Sequence, residues 1–503
     1  MKWMNCRRNP VNKLKLETMS LVIEEPERQR NALIDSQQRF GEMPIPIRCH
    51  SESLLHSFVV ALLSPYLALR VGFVQKTLFA IVILDIPLQL GTHLFYRESD
   101  AVSGALAGVS LSATTIALLG LYVSWFIRAL ERTNQKAHSS TRHNLPLLFY
   151  LGFTSLSLVV ARDVRLSSFE LLLLVQMYLV FLYVANVVRT REDVLFVVTF
   201  LLTGCLIESV LMIALRLAEL PSGLWGAVHI RVDTQVNGEL TRIGGTVGSP
   251  NEAGAYLSLI LSVAVSLLFT DVGRKLKWLA VAVVGIGGIA LVLTLSRGAW
   301  ISLILAIIVF FFSLRRRTGA SSKAPIAMLT VMLIAYLSFH SAVEARFLAD
   351  DNGSAESRIP LMNLAFRIIG DSPILGVGSN NFSTVMDGYL TSEFRQGFLY
   401  TVHNKYLLVW SEVGIGGLLA YLVFLFGVLR TGWACWSHND RLLGTLGLGF
   451  TAAVVGLVVH QTVDIFHDRA NTQLLWLVAG LLVAMHEILR AQPESFDSLS
   501  SIT

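Results

Sequence analysis

Long apolar runs separated by short charged segments constrain this chain more than any other feature. A helix needs about 20 apolar residues to cross the hydrocarbon core of a bilayer, and runs near that length recur throughout. Of the 503 residues, 53% are hydrophobic and only 15% are charged, whereas soluble domains carry about 25% charged residues. The sequence therefore predicts a polytopic membrane protein and excludes a soluble enzyme, a fibrous protein and a disordered chain.

Twelve apolar stretches predict an all-α bundle of about 12 transmembrane helices. They are residues 77–95, 104–127, 145–161, 168–187, 194–217, 251–270, 277–294, 298–314, 325–341, 404–429, 442–462 and 473–490. A shorter stretch, 54–69, contains Pro65 and is a thirteenth span, a half-helix or an interfacial helix. We predict three regions along the chain. Residues 1–53 form a partly disordered cytoplasmic segment, residues 54–490 form the transmembrane domain, and residues 491–503 form a C-terminal tail.

Basic residues predict the orientation of the bundle. They gather in the four short segments 128–142, 189–191, 274–277 and 315–323, which all fall on one side when the spans are counted. Lys and Arg concentrate in cytoplasmic loops, so that side is expected to be cytoplasmic. The two long loops, 218–250 and 342–403, then lie outside, and the large loop between the spans ending at 341 and beginning at 404 is expected to carry function.

Three arginines and one histidine fall on that same outer side. Arg242, Arg297, Arg358 and His403 are separated from one another by even numbers of predicted spans. A planar guanidinium grips phosphate oxygens through two parallel hydrogen bonds and stays charged at any pH, so the arginines are candidate pyrophosphate ligands. Arg297 lies between two apolar runs, where an arginine is costly. The alternative interpretation is an arginine that extends to the lipid headgroups.

The segment before the span at 251–270 adds a second anion-binding signal. Ser249 and Pro250 predict an N-cap followed by proline at the first helical position. Gly244, Gly245 and Gly248 allow close backbone approach, and the free amides of a helix start favour an anion. The alternative is an ordinary capped helix after a glycine-rich loop.

Histidine and carboxylate residues near the outer face are candidates for proton transfer. His403 precedes a predicted span, and imidazole suits proton transfer near neutrality. Glu412, nine residues on, would lie about 13.5 Å away along an unbroken helix and is not expected to contact it. His460 and Asp464 are four apart and are predicted to share one helical face. The alternatives are a headgroup-level histidine, structural pairing of Glu412 and a polar helix end.

Other classes of site lack the residues that they need. Cys6, Cys49, Cys205 and Cys435 form no CxxC pair, so neither a disulfide scaffold nor a zinc site is predicted. There is no DxD or Walker A pattern, and the adjacent Asp350 and Asp351 are expected to be solvated. The net charge of +5 reflects orientation rather than nucleic-acid binding. We therefore predict no metal and no cofactor.

From Arg242 to Asp464 the sequence resembles the O-antigen ligase and O-antigen polymerase superfamily. The most specific pattern is His403, then Asn404, then nine residues to Gly414. Arg242 followed by Pro250-Asn251, and Arg297 in LSRGAW, match the arginine patterns of this superfamily. The segment after Arg358 matches its P-L/I-x-G-x-G pattern, with Pro373, Gly376, Gly378 and Phe382.

The resemblance implies an inverting, metal-independent glycosyltransferase with a GT-C-like membrane fold in the bacterial inner membrane. The donor would be a glycan linked through pyrophosphate to a polyprenyl lipid, bound by Arg242, Arg297 and Arg358. His403 would deprotonate or orient a hydroxyl of a glycan or lipid-linked sugar acceptor. Asn251, Asn404, Glu412, Gly414, His460 and Asp464 would support these residues. A ligase, a polymerase and a protein glycosyltransferase remain open, and the alternative from another class is a transporter or flippase of lipid-linked glycans.

Overall fold

The computed structural model describes residues 72–131, 141–218, 223–225, 228–234, 241–318, 358–390 and 400–491. Several sequence predictions lie outside these ranges. They concern the segment 1–53, the stretch 54–69, the span 325–341, the pair Asp350-Asp351 and the tail beyond residue 491.

The first half of the described chain is a series of helices interrupted by two small sheets. Its elements are α1 (Gly72–Leu88), β1 (Gly91–Leu94), α2 (Glu98–Val102), β2 (Val109–Ser112), α3 (Ala113–Glu131), α4 (Thr141–Ser157), α5 (Val164–Val187), α6 (Arg191–Leu217), β3 (Gly223–Trp225), β4 (Val228–Thr234) and β5 (Thr241–Gly245).

The second half is helical in its described parts. Its elements are α7 (Pro250–Leu268), α8 (Arg274–Leu293, with a π-helical turn at Val283–Gly287), α9 (Arg297–Thr318), α10 (Arg358–Asp371), α11 (Phe382–Val385), α12 (Lys405–Ser437), α13 (Leu443–His460) and α14 (Arg469–Ala491). Eight helices in the described residues are long and apolar enough to cross a membrane, namely α5 to α9 and α12 to α14. The protein is a polytopic helical membrane protein.

A β-hairpin corrects the predicted edges of the first two spans. Helix α1 ends at Leu88, so the span 77–95 is too long, and β1 pairs antiparallel with β2 inside the span predicted at 104–127. Asp85 explains this termination. Its carboxylate accepts hydrogen bonds from Leu90 N at 2.8 Å and Thr114 N at 2.9 Å, on both sides of the hairpin. Hydropathy alone does not reveal such a closure.

The first long loop also has structure of its own. Strands β3, β4 and β5 form an antiparallel sheet in that order, and β5 leads through a tight turn into α7. Gly245 in this turn has φ +65°, and an added Cβ would lie 2.0 Å from the Glu208 carboxylate. That carboxylate accepts from Thr246 N at 2.8 Å, so a buried acid on α6 holds the turn in place.

Small residues bring the central helices close together. Helices α7 and α13 are the most buried of the candidate spans. Gly254 on α7 packs against Ala299 on α9, and Gly449 on α13 packs against Ser266 on α7. Small residues allow such close backbone approach in membrane bundles, where lipid gives no hydrophobic drive for association.

Candidate functional site

Arg242 lies on β5 and joins three elements at one end of the bundle, which we call the His403 end. Its Nε donates to Thr294 O at 3.0 Å, at the end of α8, and its Nη2 donates to Asn251 Oδ1 at 2.7 Å, in the first turn of α7. The side chain is 8% exposed. The hydrogen bond to Asn251, one of the predicted supporting residues, thus helps to hold the guanidinium in one orientation.

The start of α7 confirms the predicted cap and corrects the predicted anion site. Ser249 is the N-cap and Pro250 follows at the first helical position. Glu252 completes a capping box, because its carboxylate accepts from Ser249 N while its own N–H donates to Ser249 Oγ. Two donors of this helix start are therefore bonded within the chain, and a carboxylate already lies beside them, which disfavours a second anion there.

Arg297 is the first residue of α9, and its neighbour lies against a histidine. A Cβ added to Gly298 would be 2.4 Å from His460 Nε2. The His460 ring also meets the edge of Phe466, with 4.6 Å between the ring centroids. The helix that begins with Arg297 therefore packs directly on the end of α13.

His403 lies just before α12, beside the ends of α10 and α13. Its ring centroid is 5.2 Å from that of Tyr400. Burial lowers the pKa of His403 most, the charge of Asp464 raises it, and the charge of Arg358 lowers it. Arg358 is also within electrostatic range of His460. Asp464 and Arg358 are therefore both within electrostatic range of His403 and of His460.

Asn404 attaches the His403 segment to the end of α13. Its Nδ2 donates to Thr462 O at 2.9 Å, and its Oδ1 caps α12 by accepting from Leu407 N at 3.0 Å. The backbone N–H of Lys405 donates to Gln461 O at 2.9 Å. The prediction that His460 and Asp464 share a helical face is wrong, because α13 ends at His460. Asp464 instead lies in the connection that these bonds hold against His403.

Helix α12 is broken at Gly414, which has φ +80° and ψ −179°. The segment of the P-I-L-G-V-G pattern docks into this break. Val377 N donates to Ser411 O, Gly378 N donates to Glu412 O, and Ile415 N donates to Pro373 O, at 2.9 to 3.0 Å. The motif from His403 to Gly414 and the motif at 373–378 therefore form one interlocked structure. The segment 373–378 hydrogen-bonds to the backbone groups of α12 that are left without helical partners at Gly414.

Glu412 has a structural partner rather than a contact with His403. Its Oε1 accepts from Phe382 N at 2.9 Å, at the start of α11. A second buried carboxylate, Glu170 on α5, accepts from Ser379 Oγ at 2.5 Å. Two acids from different helices thus hold the segment 379–382.

Sequence reasoning missed several residues of this region. Glu170 and His467 line two neighbouring small cavities behind the His403 segment, and Lys405 lines one of them. Burial lowers the pKa of His467 to about 3, so this imidazole is neutral at physiological pH. Glu170 could have been found, since an acid inside a predicted span marks a candidate site by default. Nothing in the local sequence marks His467.

Within the described ranges, no cluster of three or more His, Cys, Asp or Glu side chains could hold a metal ion. Independence of metal stays a prediction. The described site consists of guanidinium, imidazole and carboxylate groups at one end of a membrane bundle.

Part of the chain matches a known protein family. Residues 281–422 match the O-antigen ligase family model, which confirms the relationship to the O-antigen ligase and polymerase superfamily. The match spans α9, α10, the interlocked motifs and His403. This part of the chain is therefore similar to the O-antigen ligase family, which supports a membrane enzyme of the ligase or polymerase type.

We also compared the chain with curated proteins and with solved structures. No curated protein matches the chain. Five chains of solved structures match. One of them, described as "Structural coordination of polymerization and crosslinking by a peptidoglycan synthase complex", is 14% identical with a TM-score of 0.38, over 71% of this chain and 100% of that chain.

Proposed function

We propose that the protein transfers a glycan from a polyprenyl-pyrophosphate carrier to an acceptor sugar at the extracytoplasmic face of the bacterial inner membrane, as a ligase. The observation that supports this proposal is that Arg358 and Asp464 lie within electrostatic range of both His403 and His460. They do so at the end of the bundle that also holds Arg242 and Arg297.

The arginines serve the donor. A pyrophosphate presents oxygens that guanidinium groups can bind in pairs, without a metal. As the bond between the anomeric carbon and the pyrophosphate oxygen breaks, negative charge develops on the leaving polyprenyl pyrophosphate. Fixed cations stabilise that charge more in the transition state than in the ground state, which accelerates the reaction.

His403 serves the acceptor. The acceptor hydroxyl oxygen forms a bond to the anomeric carbon from the opposite face, so the configuration inverts, and its proton passes to the imidazole. A histidine must be neutral to accept that proton, and burial favours the neutral form of His403. Asn404 and Lys405 hold this histidine in position through their bonds to the end of α13.

Purified protein in lipid vesicles, supplied with a polyprenyl-pyrophosphate glycan, tests the proposal. A ligase moves the whole glycan onto a lipid-linked sugar acceptor and releases polyprenyl pyrophosphate, and we expect this reaction to proceed in EDTA. Products that grow by successive repeat units on the carrier would instead identify a polymerase. Movement of intact donor across the vesicle bilayer, with no new glycosidic bond, would identify a flippase and overturn the proposal.

A metal chelator in the same transfer assay tests whether the arginines act without a metal. Loss of transfer in EDTA, with recovery when Mg²⁺ or Mn²⁺ is added, would contradict the arginine mechanism. It would then direct attention to Asp350 and Asp351, which lie outside the described residues.

A further inference from the structure

The hairpin between α1 and α3 has an apolar surface that faces away from the bundle. Phe95, at the end of β1, is 79% exposed, and its neighbours Leu94 and Tyr96 are 38% and 43% exposed. Phe95 also has φ +57°, a left-handed conformation that residues other than glycine rarely adopt. The backbone therefore holds a large aromatic side chain outward at this point.

The connection between α4 and α5 extends this surface. Val159 and Val160 are 80% and 40% exposed. Arg97 of the hairpin pairs with Asp163 of this connection, with 2.5 Å between Nη1 and Oδ2. We call Leu94, Phe95, Tyr96, Val159 and Val160 together the hairpin rim.

The surroundings of the hairpin rim indicate lipid as its partner. The exposed apolar surface continues onto the helices, through Leu156 at the end of α4 and Val164 and Leu172 on α5. Arg162 and Arg165 are exposed beside it. Aromatic residues at the ends of spans favour the membrane interface, and nearby arginines are attracted to anionic headgroups.

The other side of the same hairpin touches the His403 segment. Thr401, two residues before His403, donates to Ser103 O through both N at 3.1 Å and Oγ1 at 3.0 Å. Leu106 exchanges two hydrogen bonds with the Asn380 side chain, at 2.8 and 2.9 Å. Gly104 allows this approach, because an added Cβ would lie 2.5 Å from the Tyr400 ring. The hairpin thus connects an exposed apolar rim to the neighbours of His403.

We propose that the hairpin rim inserts into the headgroup and upper acyl layer of the bilayer at the His403 end, and that this lipid contact holds the His403 segment in place through Ser103 and Leu106. The hairpin rim is thus a lipid-binding surface, and Phe95 is a positioning residue. The effect on transfer rests on the function proposed above, whereas the insertion itself does not.

Spin-label depth measurements test the insertion. Phe95→Cys and Val159→Cys, each labelled in a chain without other cysteines, are reconstituted in vesicles of equal parts phosphatidylethanolamine and phosphatidylglycerol. We expect both labels to be accessible to oxygen and protected from a water-soluble nickel chelate. Glu98→Cys, exposed on the helix of the same hairpin, is the matched control and should be accessible to the chelate. Equal access of the chelate to all three labels would overturn the insertion, and so would protection that appears only when another protein is added.

Transfer kinetics test the coupling to His403. Phe95→Ser is expected to lower kcat about tenfold in vesicles, equivalent to ~1.4 kcal/mol, with the KM for donor unchanged. Phe95→Trp should restore kcat, since Trp also favours the interface. Phe73→Ser is the control, because Phe73 is 76% exposed at the start of α1, at the end of that helix far from the hairpin. Unchanged kcat in Phe95→Ser would overturn the coupling. If the wild-type protein transfers nothing while the labels report insertion, the proposed function fails and the lipid contact stands.

Discussion

At the scale of single residues, Arg297 tests whether the arginines act by geometry or by charge alone. Arg297→Lys keeps the positive charge but loses the paired hydrogen bonds of the guanidinium. We therefore expect this variant to lose glycan transfer, as a variant without the charge would. Loss of one preorganised hydrogen-bond donor typically costs about 2.7–4 kcal/mol, or roughly 100- to 1000-fold in rate. The measurement is kcat/KM for glycan transfer, with Arg274→Lys at the start of α8, at the opposite end of the bundle, as the control. Full activity of Arg297→Lys would show that the two-pronged contact is not used.

His403 has a distinct expected signature in its pH profile. Transfer should fall as the pH decreases through the pKa of His403, because a protonated imidazole accepts no proton. Burial lowers this pKa, so the acid limb should lie below the usual value of about 6.5. The profile of kcat/KM against pH gives this midpoint directly. An acid limb well above the usual value would contradict the buried, neutral histidine described here.

Replacement of the same histidine separates acceptor chemistry from donor binding. His403→Ala should cost about 100- to 10,000-fold in transfer if the imidazole is the general base. Binding of polyprenyl-pyrophosphate glycan to the purified variant should stay near the wild-type level, whereas Arg297→Ala should weaken it. The opposite pattern would show that the two roles are reversed.

At the scale of elements, we expect the break in α12 at Gly414 to be required for the position of His403 and Arg358. Gly414 has φ +80°, and a Cβ there would lie 1.9 Å from Ile374 O. Gly414→Ala should therefore destabilise the protein, which a lower melting temperature in detergent would report. Backbone strain alone costs about 1–3 kcal/mol of folding free energy, and the clash with the docked loop adds to it. Gly427→Ala in the same helix is the matched control, since a Cβ there meets nothing within 4 Å. It should be neutral or stabilising, because alanine is the better helix former.

Retained stability and activity in Gly414→Ala would mean that the helix can straighten without loss. The interlock with the segment 373–378 would then have no role in placing His403 and Arg358. We expect instead that the variant loses transfer together with stability, since α10 and α12 meet at this joint.

At the scale of the whole molecule, the orientation in the membrane is the main prediction. Basic segments such as 274–277 predict that their end of the bundle is cytoplasmic, which places the His403 end outside. Gly388→Cys, exposed at the His403 end, should react with a membrane-impermeant maleimide in intact cells once the native cysteines are replaced. Lys275→Cys, exposed at the other end, should react only after permeabilisation. The reverse pattern would place the proposed site in the cytoplasm.

Local features of the amino-acid sequence were enough to predict the class of fold and the candidate functional residues. Apolar runs of sufficient length specify membrane helices because lipid leaves the backbone no other partners than its own. The cap at Ser249 and Pro250 was equally readable, since its hydrogen bonds lie within a few residues. The motif around His403 and Gly414 also indicated the resemblance to the O-antigen ligase family, although it carried no indication of why its residues occur together.

The way in which these segments fit together is a property of the folded chain. The docking of Pro373 to Gly378 into the break at Gly414, the closure of the first hairpin on Asp85 and the end of α13 at His460 all depend on hydrogen bonds between distant parts of the chain. Periodicity and hydropathy report only local preference, and a backbone group freed in one segment is satisfied by whichever segment packs against it. That partner is set by the fold as a whole, so the joint behind His403 became visible only in three dimensions.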